Sequence, residues 1–158
     1  MFASMTASDA PVPEVSTNAR GADGAPTPRT DPPDPFFEYL ARVFLGGDSR
    51  NEIPLTLSCS GTVVAGIAVP QETWVHLLGE EFREVLPSPV GDDVADGLRT
   101  VDADGREREV AARESGAEPA FGYVNLKDAV LVPSGTWLGL WRVRLDRLDG
   151  WTLGSIGS

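Results

Sequence analysis

The sequence predicts an α+β domain in which a small, curled antiparallel sheet carries one or two packed helices behind a disordered N-terminal tail. Three observations lead there. Apolar residues recur at helical spacing as far as Phe44 and switch to strict alternation from Ile53. The C-terminal third holds about three closely linked, β-branched and aromatic runs separated by turn residues. Nowhere does a strand pattern alternate repeatedly with a helix, so a parallel, doubly wound sheet is not expected. A sheet this small could curl far enough to close into a barrel.

Residues 1–33 consist mainly of Ala, Pro, Thr, Ser and Asp. Such a stretch buries too little apolar surface to offset the entropy of ordering, which makes it the tail. Residues 34–158 then read as a single domain. Asp34 is a capping residue and Pro35 suits a first helical position. Phe36, Phe37, Leu40, Val43 and Phe44 follow at helical spacing, and Gly46-Gly47 stops the run. Ile53, Leu55, Leu57 and Cys59 alternate with Pro54, Thr56, Ser58 and Ser60, and Ser60-Gly61 turns into Thr62 to Val69, so 53–69 is a hairpin. Pro70 opens a second helix with a stripe of Trp74, Leu77, Leu78, Phe82 and Val85, ended by Leu86-Pro87.

Residues 87–119 contain nine acidic and four basic residues, several Gly and Pro, and few large apolar side chains. That composition predicts a mobile acidic insertion. Order resumes at Phe121 in FGYVNLKDAVLV, turns at Pro133-Ser134-Gly135 and continues from Thr136 to Asp146. Within that run Trp137, Trp141, Val143 and Leu145 alternate with Leu138, Leu140, Arg142 and Arg144. Asp149-Gly150 marks a tight turn before a last short strand from Trp151 to Ile156.

Composition narrows the partners. Thirteen basic against 24 acidic residues give a formal charge of −11, which opposes binding to nucleic acid or an anionic membrane surface. Cys59 is the single cysteine, so no intrachain disulfide forms, and a reducing cytoplasm is expected. The N-terminus lacks a signal-peptide pattern, and no run reaches the ~18 apolar residues of a membrane span.

No catalytic constellation, metal site or cofactor motif is expected. His76, the one histidine, lies on a helix flank without a nucleophile motif. Cys59 falls on the apolar side of its strand, the place of a small buried hydrophobe. Asp102-Ala103-Asp104-Gly105 begins like a calcium loop, but Arg113 stands where the twelfth-position Glu would be needed. Residues 120–158, with four basic and three acidic residues, are the one positively balanced segment. Their tryptophans are expected to serve mainly as core and their arginines to pair with acids.

As a string the C-terminal half says more. VNLKDA at 124–129, LWRVRL at 140–145 and DGWTLG at 149–154 resemble the signature of the GvpU family of gas vesicle accessory proteins. LTLSCSGTVVAGIAV at 55–69 looks like that family's opening hairpin. The family usually has a His and a Gly where Asn125 and Val143 stand. Leu126, Lys127, Asp128, Asp149, Gly150 and Trp151 carry the family motif. The resemblance implies a non-enzymatic protein of the cytoplasm or the vesicle surface. Its expected partners are the gas vesicle shell or other gas vesicle proteins, with self-association as a further mode. Phe36, Phe37, Leu40 and Phe44 of the first helix, with Trp137, Trp141, Arg142 and Arg144, are the candidate protein contacts. The strand order also resembles an Sm-like or SH3-like barrel, which implies the alternative of a ring-forming RNA binder, opposed by the net charge.

Overall fold

The computed structural model describes residues 34–46, 51–117 and 122–154, and the expected tail at 1–33 lies outside them. Five strands, β1 (Ile53–Cys59), β2 (Thr62–Val69), β3 (Tyr123–Leu131), β4 (Thr136–Arg144) and β5 (Leu148–Leu153), form one antiparallel sheet in the order β4-β3-β2-β1-β5. Helix α1 (Pro35–Leu45) precedes it, and α2 (Gln71–Val85) and α3 (Val90–Glu114) connect β2 to β3.

Alternation along the strands divides the core between two faces. Leu55, Leu57, Val64, Ala68, Val124, Leu126, Ala129 and Val143 line one face, where Phe37, Ala41 and Leu45 of α1 complete the buried cluster. The neighbouring positions Thr56, Ala65, Val69 and Asn125 are buried on the other face. There the Asn125 amide donates to Gln71 of α2 at 2.9 Å, which places the α2–α3 pair opposite α1. Both departures from the family string are therefore buried: Asn125 under α2 and Val143 in the core.

The sheet is open, which corrects the expectation of a barrel: among the described residues β4 pairs only with β3, and β5 only with β1. Helices cover both faces, so the apolar surface is buried without strand closure. The number of helices among the described residues is three rather than one or two.

The acidic stretch 87–119 also needs correction, because 25 of its residues form α3. Large side chains are replaced there by close approach of backbones. Ala95 is buried on α3 against Gly79 of α2, where a Cβ placed on Gly79 would lie 3.2 Å from that of Ala95, and Gly91 is buried against the backbone of Phe82, Arg83 and Leu86. Arg83 of α2 reaches Asp92 at 3.2 Å and Asp96 at 3.6 Å. Pairs one turn apart support the exposed length: Arg99 with Asp96 at 2.9 Å and Arg106 with Asp102 at 3.1 Å. Of the stripe expected on α2, Trp74, Leu77, Leu78 and Phe82 are half-buried and Val85 is exposed, whereas the fully buried residues of the helix are Val75 and Gly79.

Two bulges adjust the β3–β4 ladder. Trp141 pairs with Leu126 and Gly139 with Ala129, but Trp137 pairs with Val130, leaving Leu138 as an extra residue. Trp137 consequently falls on the α2 face, not on the face of Trp141 and Val143 as unbroken alternation would have it. On β3 the matching irregularity passes through Asp128, whose φ of 52° is a conformation Asp tolerates better than most residues.

A candidate docking surface on helix α1

Helix α1 begins where its sequence says. The Asp34 carboxylate accepts from the Phe36 backbone N–H at 2.9 Å, and Pro35 occupies the first turn. Phe37, Ala41 and Leu45, spaced by four, form the inner stripe. Phe37 is 2% exposed, and its ring centroid lies 5.2 Å from that of Trp151 on β5. The Trp151 indole N–H in turn donates to Asp34 at 2.8 Å, so one carboxylate caps the helix and fastens it to the sheet.

The opposite stripe faces outward. Phe36 is 76% and Tyr39 69% exposed, with Val43 and Phe44 exposed beside them and Leu40 half-buried between the stripes. Aromatic and aliphatic side chains thus stand in a row on a helix whose back is locked into the core, flanked by the Glu38–Arg42 ion pair at 2.7 Å. A row of this kind is what a protein-binding surface uses. Of the helix residues singled out from sequence, Phe36, Leu40 and Phe44 reach this surface, whereas Phe37 belongs to the fold. Tyr39 and Val43 complete the row; Tyr39 sits three residues after Phe36 and four before Val43, a spacing visible in the sequence once the helix is granted.

The tryptophan and arginine candidates gather elsewhere. Trp141 packs against the core. Arg142, on the α2 face, lies 4.1 Å from the Tyr123 ring centroid and 5.5 Å from that of Trp74. Desolvation beneath these neighbours lowers its pKa, opposed by Tyr123 and Asp102, and an arginine stays charged all the same. Arg144 pairs with Asp146, and Trp137 is exposed at the edge of the sheet. Strand β4 and the outer row of α1 therefore form two separate surfaces.

The motif residues hold the scaffold. Leu126 is fully buried, Lys127 pairs with Glu52 at 2.6 Å, and Asp128 makes the bulge. Asp149 accepts from the Ser60 backbone N–H at the tip of the β1–β2 hairpin, and Gly150 pairs with Ser58 just before Trp151. A pocket of about 50 Å³ among Asp34, Phe37, Leu145, Leu148, Asp149, Gly150 and Trp151 has room for water rather than an organic ligand. His76 is exposed on α2, and Cys59 packs partly buried against the core.

The family model of the GvpU-like gas vesicle proteins matches residues 34–156, from the cap of α1 to beyond the end of β5. The chain belongs to the GvpU-like family. The match takes in α1 and both outer helices as well as the sheet. Membership associates the protein with gas vesicles in an accessory role, in a family not known for enzymatic activity. No curated protein and no solved structure matched the chain. No helix among the described residues is long and apolar enough to cross a membrane.

The cap of α1 makes a pH prediction. Hydrogen bonds from Trp151 and then from the Phe36 backbone hold the Asp34 carboxyl below the usual carboxylate range. A depressed pKa contributes stability that is present above the ordinary carboxylate value and is lost as pH falls through the folded-state value. Asp34→Asn should flatten the acid limb of the stability curve below about pH 4 while leaving its shape near neutrality unchanged. Urea unfolding of both proteins across that range, followed by tryptophan fluorescence, provides the check. An unchanged acid limb would mean that Asp34 is not the group responsible.

Proposed function

We propose that this protein is a non-enzymatic gas vesicle accessory factor that docks on a gas vesicle protein, in the shell or beside it, through the outer row of α1. It acts in the cytoplasm at the vesicle surface and influences vesicle assembly or clustering. The observation that carries this reading is the two-sidedness of α1: its inner stripe is fixed by Phe37 and Trp151, while Phe36, Tyr39 and Val43 are exposed on the opposite stripe. A preorganised aromatic row loses little entropy on binding. The net charge of −11 steers the protein away from polyanions and toward another protein surface.

Flotation tests this. The full chain is mixed with purified gas vesicles, spun gently and assayed in the buoyant layer, alongside Phe36→Ser, Tyr39→Ser and Val43→Ser combined. These positions face water, so the triple variant should keep its fold and melting temperature near those of the parent. Recovery with vesicles should fall at least about a hundredfold in affinity, since interface aromatics commonly contribute 1–2 kcal/mol or more each. Co-flotation of the triple variant at parental levels would remove the assignment to α1. A parent that stays below the buoyant layer at every salt concentration would remove direct vesicle binding altogether.

A further inference from the structure

We propose that the β4 edge pairs with the β4 edge of a second copy of this chain, antiparallel across a two-fold axis at Trp141, to make one continuous ten-stranded sheet. The two edges of the present sheet differ in how they are guarded. β5 is short, its Asp149 is engaged at the hairpin tip, and the Gly154 N–H just after it donates back to Pro54 at 2.8 Å. β4 runs for nine residues, and its first six, TWLGLW, contain no charge. Trp137 is 64% exposed there, with Leu138 also exposed. Natural edges are normally blunted by charge, proline or brevity, and an uncharged, apolar stretch of edge is a template for another strand.

The side-chain register selects a second copy as the occupant. With the axis at Trp141, the two Trp141 side chains adjoin on the core face and Gly139 lies opposite Val143. Leu140 lies opposite Arg142 on the α2 face. The bulge at Leu138 then changes which face the strand presents, so the next pair is Trp137 with Arg144 of the other copy, both on the α2 face. That pair sets a guanidinium against an indole, and the symmetry repeats it. No arginine lies directly opposite another. Arg142 is already occupied by the rings of Trp74 and Tyr123 within its own chain. An unbroken strand would place Trp137 on the wrong face for this match, so the bulge has a reason to be where it is.

Sedimentation equilibrium of the full chain over a wide concentration range should give a mass rising toward twice 16.8 kDa. Trp137→Lys, which opposes two lysines to two Arg144 side chains, should weaken association about tenfold or more. Trp137→Lys combined with Arg144→Glu should restore it, an outcome that a merely structural role for either residue would not give. Phe36→Ser, on the other surface, should leave association unchanged. A parent that remains monomeric throughout overturns the proposal and leaves the edge to a foreign strand. Dimerisation that ignores Trp137→Lys, or that is not rescued by the paired change, overturns it as well.

Discussion

Phe37→Ala should lower the free energy of unfolding by about 3–5 kcal/mol, the cost of emptying a fully buried aromatic site. For a chain of this size that corresponds to roughly 10 °C or more in melting temperature. The reason lies in the shared position of the ring. It fills the floor between α1 and the sheet, packs at a tilt against Trp151, and lies beside the carboxylate that receives the Trp151 indole N–H. Removing it leaves α1 with Ala41 and Leu45 as its deeply buried contacts, too little for an 11-residue helix to stay docked. Chemical unfolding monitored by Trp fluorescence should show both the lower midpoint and a red-shifted native spectrum as Trp151 loses its cover. A loss below about 1 kcal/mol would mean that α1 does not pack as described. The same substitution should depress vesicle binding indirectly, whereas the outward serine variant acts with stability preserved; comparing the two separates support of the helix from contact with the partner.

The second large effect is expected at Gly91, where α3 meets α2. A Cβ at this position would lie 2.9 Å from the Phe82 carbonyl oxygen, 3.1 Å from the Arg83 Cα and 3.1 Å from the Leu86 carbonyl oxygen. All three are backbone atoms, so no rotamer change relieves the collision and the helices must separate. Gly91→Val should cost about 2–3 kcal/mol by overpacking, and separation would also pull Asp92 and Asp96 away from Arg83. Gly97→Ala is the contrasting variant. It lies on the same helix with nothing within 4 Å of its added methyl, and should gain about 0.5–1 kcal/mol from the reduced freedom of the unfolded chain. If both variants unfolded at the same urea concentration, the close approach of α2 and α3 would be refuted.

How far the sequence discloses all this depends on which physical signal an element uses. Helix α1 was legible because Asp34, Pro35 and the spaced aromatics give the cap, the first turn and the period together. The β1–β2 hairpin and β3 were legible from alternation and β-branching, with boundaries close to those observed. Helix α3 was not. Its buried positions are Gly91, Ala95 and Asp102, none of which carries a large apolar side chain, and its stability rests on close approach to α2 and on ion pairs along the helix. A sequence reader looking for large side chains sees only charge and glycine there. The barrel expectation failed because α1 and α2 cover the two faces of the sheet, so its apolar side chains are buried without the strands closing on themselves.

The candidate contacts divided along the same line. Phe36 and Phe37 are identical in type and adjacent, and only the direction of the inner stripe decides that one is surface and the other core. Tyr39, whose hydroxyl makes it ambiguous in a pattern of apolar residues, is among the most exposed aromatics on α1. Trp137 was assigned to the face of Trp141, and a single extra residue in β4 reverses that. Bulges leave little trace in sequence beyond a glycine, here Gly139 with a φ of 71°.

Strand β5 lies beside β1, with Trp151 paired to Leu57 and Leu153 to Leu55, although the helical pair and three strands intervene in the chain. During synthesis the polypeptide emerges from its N-terminal side, so β1 leaves the ribosome with one flank bare and stays that way until Leu148–Leu153 has followed. Helix α1 waits on the same event, because Trp151 supplies both the ring against Phe37 and the N–H for Asp34. The nascent chain can therefore assemble β1 to β4 and the helical pair while α1 is still loose. A ribosome stalled before residue 151 would hold a chain whose aromatic helix lacks the ring against Phe37 and the partner of its cap, and so leaves more of its apolar surface open to chaperones.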